Sequence, residues 1–298
     1  VNDDMHNPIG IISMQYQRPF GVEHFDQLRR WRQAGFDFVE FLVPEPGELD
    51  LLELRRALKE AGLTAVVTAR LNAERNLVGT EPAMRKTGVD YLKYCVDVAA
   101  ELGAASVTGP LFGSPLVFAG QAPRPIAEDL RRARVDWCVE GLKAVARHAE
   151  GSGIRLAVEP LNRFETDFLN TAGQGVELVR LVDHPLVGLS LDTFHMNMEE
   201  DDLPQAFRAA GPHLFHVQAN ENHRGYLGTG HIHWTSIVHT LNEIDYRGTI
   251  TLEPFRRTDD RIGIPFAQWK PPGHDEQAEL TASCGFIRNL IALSRTRT

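Results

Sequence analysis

Short apolar runs rich in β-branched and aromatic residues alternate along this chain with longer stretches whose apolar positions recur every three or four residues. The short runs fall at 9–14, 38–43, 64–68, 105–108, 154–159, 187–192, 214–218 and 249–253. The period of the stretches between them predicts helices over 22–34, 49–61, 84–102, 126–150, 172–181 and 237–244, with a last near 276–293. Strand followed by helix, repeated in this way, describes a parallel sheet covered by helices. Gly35, Gly62, Gly103 and Gly153 each follow a helical stretch and precede a strand by one to three residues, where a left-handed residue ends a helix without a Cβ clash. An open doubly wound sheet calls for a glycine-rich first turn, but the chain runs Met14-Gln15-Tyr16-Gln17-Arg18-Pro19 there. The pattern therefore predicts an α/β fold, a closed (β/α)8 barrel built as one domain over residues 1–298.

The loop 109–125 is rich in Gly and Pro and carries Leu111, Phe112, Leu116, Val117 and Phe118. It reads either as a surface connection with a small satellite core or as a partly apolar wall over the barrel mouth. Composition supports a folded domain: 298 residues, 43% hydrophobic and 24% charged. Forty acidic against 31 basic residues give a formal charge of −9, and with no basic run this argues against nucleic acid as a partner. Cys95, Cys138 and Cys284 form no CxxC pair and sit in helical stretches, as reduced packing residues of a cytoplasmic protein would. No charged-then-apolar leader opens the sequence, and no apolar run approaches the ~20 residues that span a bilayer, so a soluble protein without membrane partners is expected.

In a barrel of this kind the working side chains project from the C-terminal ends of the strands. Four successive predicted strands end in an acid or an amide: Arg155-Leu-Ala-Val-Glu159, Gly188-Leu-Ser-Leu-Asp192, Phe215-His-Val-Gln218 and Thr249-Ile-Thr-Leu-Glu253. Burying three carboxylates together is opposed by repulsion and desolvation, and a divalent cation resolves the conflict. Three carboxylates and an amide oxygen form a hard donor set that suits Mn²⁺ or Mg²⁺ better than Zn²⁺. Taken singly, each could instead cap a helix or pair with an arginine.

Several strings around these positions resemble the xylose isomerase-like sugar isomerases and epimerases, most closely the D-tagatose and D-psicose (allulose) 3-epimerases. They are Val158-Glu-Pro-Leu-Asn-Arg-Phe-Glu165, Leu191-Asp-Thr-Phe-His-Met-Asn-Met-Glu-Glu200, Asn220-Glu-Asn-His-Arg224 and Thr251-Leu-Glu-Pro-Phe255, with a weaker likeness in Phe266-Ala-Gln-Trp-Lys270. The resemblance implies that Glu159, Asp192 and Glu253 are metal ligands. It also implies that Glu159 and Glu253 are the catalytic acid/base pair, and that Glu165, His195 and Arg224 hold the substrate. The remaining ligand position is histidine in those epimerases and Gln218 here, an amide oxygen that cannot change protonation state.

One divalent metal, Mn²⁺ first with Mg²⁺ and Co²⁺ as alternatives, is thus the expected cofactor. The expected reaction is epimerisation of an unphosphorylated keto-sugar: the metal stabilises an enediolate while one carboxylate removes a proton and the other returns it to the opposite face. The competing reading is a lyase, either a keto-sugar or keto-inositol dehydratase or the metal subunit of a C-glycoside deglycosidase, since glutamine at position 218 resembles those branches. A sugar-binding barrel without catalysis is the third. A homo-oligomer is expected, with a separate partner subunit in the deglycosidase case.

Smaller signals have plain readings. His231 and His233 read as surface residues, and His216, two before Gln218, should point inward, either supporting the metal or packing. Trp234 and Trp269 most simply pack, and Glu199-Glu-Asp-Asp202 reads as a solvated N-terminal cap of a following helix.

Overall fold

Alternation along each strand sends one set of side chains outward to the helices and the other into the barrel. The strands are β1 (Ile9–Ile12), β2 (Phe38–Leu42), β3 (Thr64–Thr68), β4 (Ser106–Gly109), β5 (Arg155–Val158), β6 (Val187–Asp192), β7 (Leu214–Ala219) and β8 (Thr249–Leu252). Each pairs in parallel with the next, and β8 returns to β1 through Ile9 opposite Ile250, Gly10 opposite Thr251 and Ile11 opposite Leu252, which closes the ring. The computed structural model describes residues 7–14, 20–113, 125–256, 268, 270–271 and 273–295. Leu116, Val117, Phe118 and Trp269 lie outside them, as do residues 15–19 and most of 266–270.

Around the ring run α1 (Phe25–Gln33), α2 (Leu51–Ala61), α3 (Pro82–Leu102), α4 (Glu128–Ala149), α5 (Ala172–Val182), α6 (Thr193–Glu199), α7 (Leu203–Ala210), α8 (Trp234–Glu243) and α9 (Glu276–Arg295). Outward strand residues such as Val39, Phe41, Val67, Val107, Leu156, Leu191, Val217 and Leu252 pack with the helices in one continuous core. The expected helix stops hold: Gly62 and Gly103 cap α2 and α3 at φ 72° and 69°. Gly35 and Gly153 also have positive φ.

Two features differ from the sequence reading. Between β6 and the helix foreseen after Asp202 lies an additional short helix, α6, whose run Thr193-Phe-His-Met-Asn-Met-Glu199 is too short to show a period. The acidic run is also not a uniformly solvated cap. Asp202 does cap α7, accepting from Gln205 N, but Glu199 is buried against Arg163 and Glu200 accepts from Ala172 N at the start of α5. The helix dipole of α5 attracts that carboxylate, so the run ties two helices together.

Candidate active site

Inward residues build the barrel interior as a polar layer. From β2 comes Glu40, fully buried, whose Oε2 lies 3.0 Å from His216 Nε2 of β7. Its Oε1 accepts from Thr108 Oγ1 of β4 at 2.8 Å, from Thr68 Oγ1 of β3, and from Gln218 Nε2 at 3.1 Å. Burial opposes ionisation of Glu40, but the imidazole of His216 and the hydrogen bonds from Thr251 and Thr68 outweigh it and hold the carboxyl at about 2. The ring of His216 is fixed in turn by Thr249 Oγ1, 2.7 Å from Nδ1. The inward direction expected of His216 is therefore correct, and its contacts are polar rather than simple packing.

Above this layer the strand ends bring Glu159, Asp192, Gln218 and Glu253 into one buried region. Register does this: Asp192 pairs with Gln218 and Gln218 with Thr251, two residues before Glu253, after a shift between Leu189 and Ser190 in the β6–β7 ladder. Glu159, Asp192 and His195 offer ligand atoms that all lie within 4.8 Å of one another, a buried group that can hold a metal ion. Glu253 stands outside that tight trio but is linked to it by Asn220, whose Nδ2 donates to Asp192 Oδ1 (2.8 Å) and Glu253 Oε2 (3.0 Å).

Arg224 is the countercharge. Its Nη2 donates to Asp192 Oδ2 at 3.2 Å and Glu253 Oε2 at 3.1 Å, while its guanidinium lies between the rings of Phe194 and Phe255, 4.3 and 4.2 Å from their centroids. One guanidinium does not neutralise three buried acids. Burial, reinforced by Asp192 and Glu253, pushes Glu159 well above the carboxylate range, with Arg224 opposing. Burial likewise raises Asp192, and it carries Glu253 up to about 8 against the pull of Arg224.

His195 has a defined role set by its partners. Its Nδ1 accepts from the backbone N–H of Asn162 at 3.1 Å, a donor that cannot turn round, and burial with the Arg224 charge keeps the ring neutral. Its Nε2 lies 3.2 Å from Arg224 Nη2, 3.5 Å from Asp192 and 3.6 Å from Glu159. Glu165 Oε1 accepts from Asn162 Nδ2 at 3.0 Å.

Glu159, Glu165, His195, Gln218, Arg224 and Glu253 line a cavity of about 60 Å³ at the barrel mouth, together with the apolar Ile12, Leu42 and Phe255. A larger cavity of about 300 Å³ lies beside it, sharing Leu42 and Arg70. That one holds the Arg75–Glu45 ion pair and no cluster of buried acids, so the chemistry belongs to the smaller. Of the residues expected at the site from the sequence, Glu159, Glu165, His195, Gln218, Arg224 and Glu253 line this cavity, and Asp192 is buried behind it against Arg224 and Asn220. Glu40, Asn220 and the two phenylalanines beside Arg224 were missed. His231 and His233 are exposed as expected, and Trp234 packs with its Nε1 donating to the buried Glu221.

A search of family descriptions matches residues 28–289 to the xylose isomerase-like TIM barrel. The chain belongs to this family. It is 31% identical to an L-ribulose 3-epimerase of Methylomonas sp. (strain DH-1) over 86% of this chain and 87% of the relative. It is 30% identical to a D-psicose 3-epimerase of Ruminiclostridium cellulolyticum, over 95% and 97%. A crystal structure of a D-allulose 3-epimerase from Methylomonas sp. in complex with D-allulose superposes with a TM-score of 0.86 at 28% identity, covering 96% of this chain and 97% of that one. These relatives are epimerases, and this chain stands with them as an enzyme of the epimerase type. Among the described residues no helix is long and apolar enough to cross a membrane.

The raised and lowered carboxyls make opposite contributions to stability. Glu253 keeps its proton in the folded state up to about 8, whereas the unfolded chain loses it near 4.5, so folding stability falls as pH rises through that window. Glu40 does the reverse, and its contribution, present above 4.5, is lost as pH falls toward about 2. Protein stripped of metal should therefore melt at the highest temperature near pH 4.5 and at progressively lower temperatures up to pH 8. A melting temperature that climbs over that interval in chelator would refute the burial of an uncompensated acid here.

Proposed function

We propose that this enzyme is a metal-dependent ketose 3-epimerase acting on an unphosphorylated keto-sugar, with Glu159 and Glu253 as its acid/base pair. The observation that carries the reading is that these two glutamates, at the ends of β5 and β8, are buried and line one cavity, where two carboxyls can serve a single bound substrate.

The donor chemistry fits a divalent ion. Gln218 Oε1 is buried with no hydrogen-bond partner, beside three acids that lack sufficient countercharge. Asp192 Oδ1 is engaged by Phe194 N and Asn220 Nδ2, and its Oδ2 accepts from Arg224 Nη2, a charge the ion would join. Glu159, Asp192, Gln218 and Glu253 would hold the ion, with Mn²⁺ the best match to four oxygens. His195, although close enough to join them, is held by Asn162 and Arg224 and is assigned to the substrate. When bound, the ion supplies positive charge to the carbonyl oxygen on which negative charge develops.

The protein groups do the rest. One glutamate removes the proton from the carbon next to the carbonyl, the electron pair passes toward the carbonyl oxygen, and the other glutamate delivers a proton to the opposite face. Arg224 donates to a substrate oxygen, His195 beside it holds a substrate hydroxyl, and Glu165 accepts from another. The apolar Ile12, Leu42 and Phe255, which also line the cavity, keep water from the reacting carbon. The similarity to epimerases favours proton return over elimination, which is the outcome a lyase would give.

The test is product analysis over a panel of ketoses in D₂O, with Mn²⁺ and then with chelator. A C3 epimer carrying deuterium at the inverted carbon, formed only with metal, is the expected product. An unsaturated sugar with no epimer from any ketose would replace this reading by the lyase, and full activity in chelator would remove the metal from it.

A further inference from the structure

We propose that Glu40 is a positioning residue that fixes which end of the Gln218 amide faces the substrate cavity. The inference rests on the reading of Gln218 as an oxygen donor to the metal. A carboxamide has two ends of nearly equal size and opposite character, so packing alone does not choose between them. Here Gln218 Nε2 lies 3.1 Å from Glu40 Oε1, while Gln218 Oε1 has no partner in the protein. Turning the amide over would set two acceptor oxygens face to face at that distance and aim an NH₂ group at the site that a cation must fill.

Glu40 can act this way because it is itself immobilised. Hydroxyls from β3 and β4 and the imidazole from β7 converge on its two oxygens, and the residue is fully buried. It also sits on β2, across the interior from Gln218, so the contact spans the barrel rather than following one strand. Histidine, the residue expected at position 218 from the resembling epimerases, reaches a metal through one ring nitrogen. An amide needs this third party to present its oxygen.

The test measures Mn²⁺ affinity by calorimetry on metal-stripped protein for Glu40→Gln, Gln218→Leu and the double variant, with melting temperatures of the stripped forms alongside. A glutamine at position 40 can offer its own NH₂ to Gln218 Oε1, which lets the amide turn. Glu40→Gln should weaken Mn²⁺ binding about 10–100-fold, the usual effect of removing a ligand's supporting partner. The double variant should bind no more weakly than Gln218→Leu alone. Wild-type affinity in Glu40→Gln, or losses that add in full, would overturn the proposal. Unchanged affinity in Gln218→Leu would instead overturn the metal-ligand reading beneath it.

Should Glu40→Gln fail to fold, the side-chain amide protons of Gln218 can be followed by NMR in the metal-free wild type, assigned by their loss in Gln218→Leu. The proton donated to Glu40 should exchange slowly with solvent. Exchange as fast as that of an exposed glutamine would refute the contact.

Discussion

Replacing either Glu159 or Glu253 by glutamine should lower kcat/KM for epimerisation by about 10³-fold or more, the scale of a general acid–base contribution. The amide keeps size and an oxygen donor but can neither take nor return a proton. Because a stereocentre is inverted only if both faces are served, the double variant should be little worse than each single one. Each single variant should still exchange the substrate proton with D₂O on one face if it retains Mn²⁺, which calorimetry checks independently. Activity within about tenfold of wild type in either variant would remove that glutamate from the proton path.

Arg224→Met should destabilise the metal-free protein at pH 8 by about 3–5 kcal/mol, the cost of stripping one partner from a buried charge cluster. Asp192 and Glu253 lose their shared donor, and the Phe194 and Phe255 rings lose the cation between them. At pH 5 the loss should shrink, because burial already favours protonated acids there. Saturating Mn²⁺ should shrink it too, since an ion that binds only the folded state replaces the missing charge. Thermal melts at both pH values, with and without Mn²⁺, check this, and equal losses in all four conditions would show that Arg224 acts by packing alone.

The barrel was legible because its strands carry a period of two and its helices a period near 3.6, and every expected strand overlaps an observed one. The four strand-end residues were legible for the same reason: a polar residue closing an apolar run points to the mouth of the barrel. What escaped was polar residues that look ordinary in one dimension. Glu40 stands mid-strand in Phe38-Val-Glu-Phe-Leu42, and only closure of the ring reveals that His216 and Gln218 face it from the other side. An acid at an inward position of an otherwise apolar strand was the available signal. Asn220 gave none beyond its place in a quoted string, because its bridge between Asp192 and Glu253 depends on the loop geometry after β7. Helix α6 escaped for want of length, although Asp192, read as a strand-end acid, also accepts from Phe194 N and so starts that helix.

The seam between β1 and β8 has a consequence for how the molecule is made. These are the first and last strands of the ring, so a chain emerging from the ribosome holds seven strands with two open edges before it has a barrel. Joining ends so distant in sequence carries the largest loop-closure entropy of any strand pair here, which places that pairing late. Glu253 directly follows β8 and arrives with it. Glu159, Asp192 and Arg224 all precede that seam in the chain, so the site receives its last buried acid in the same event that completes the wall around it.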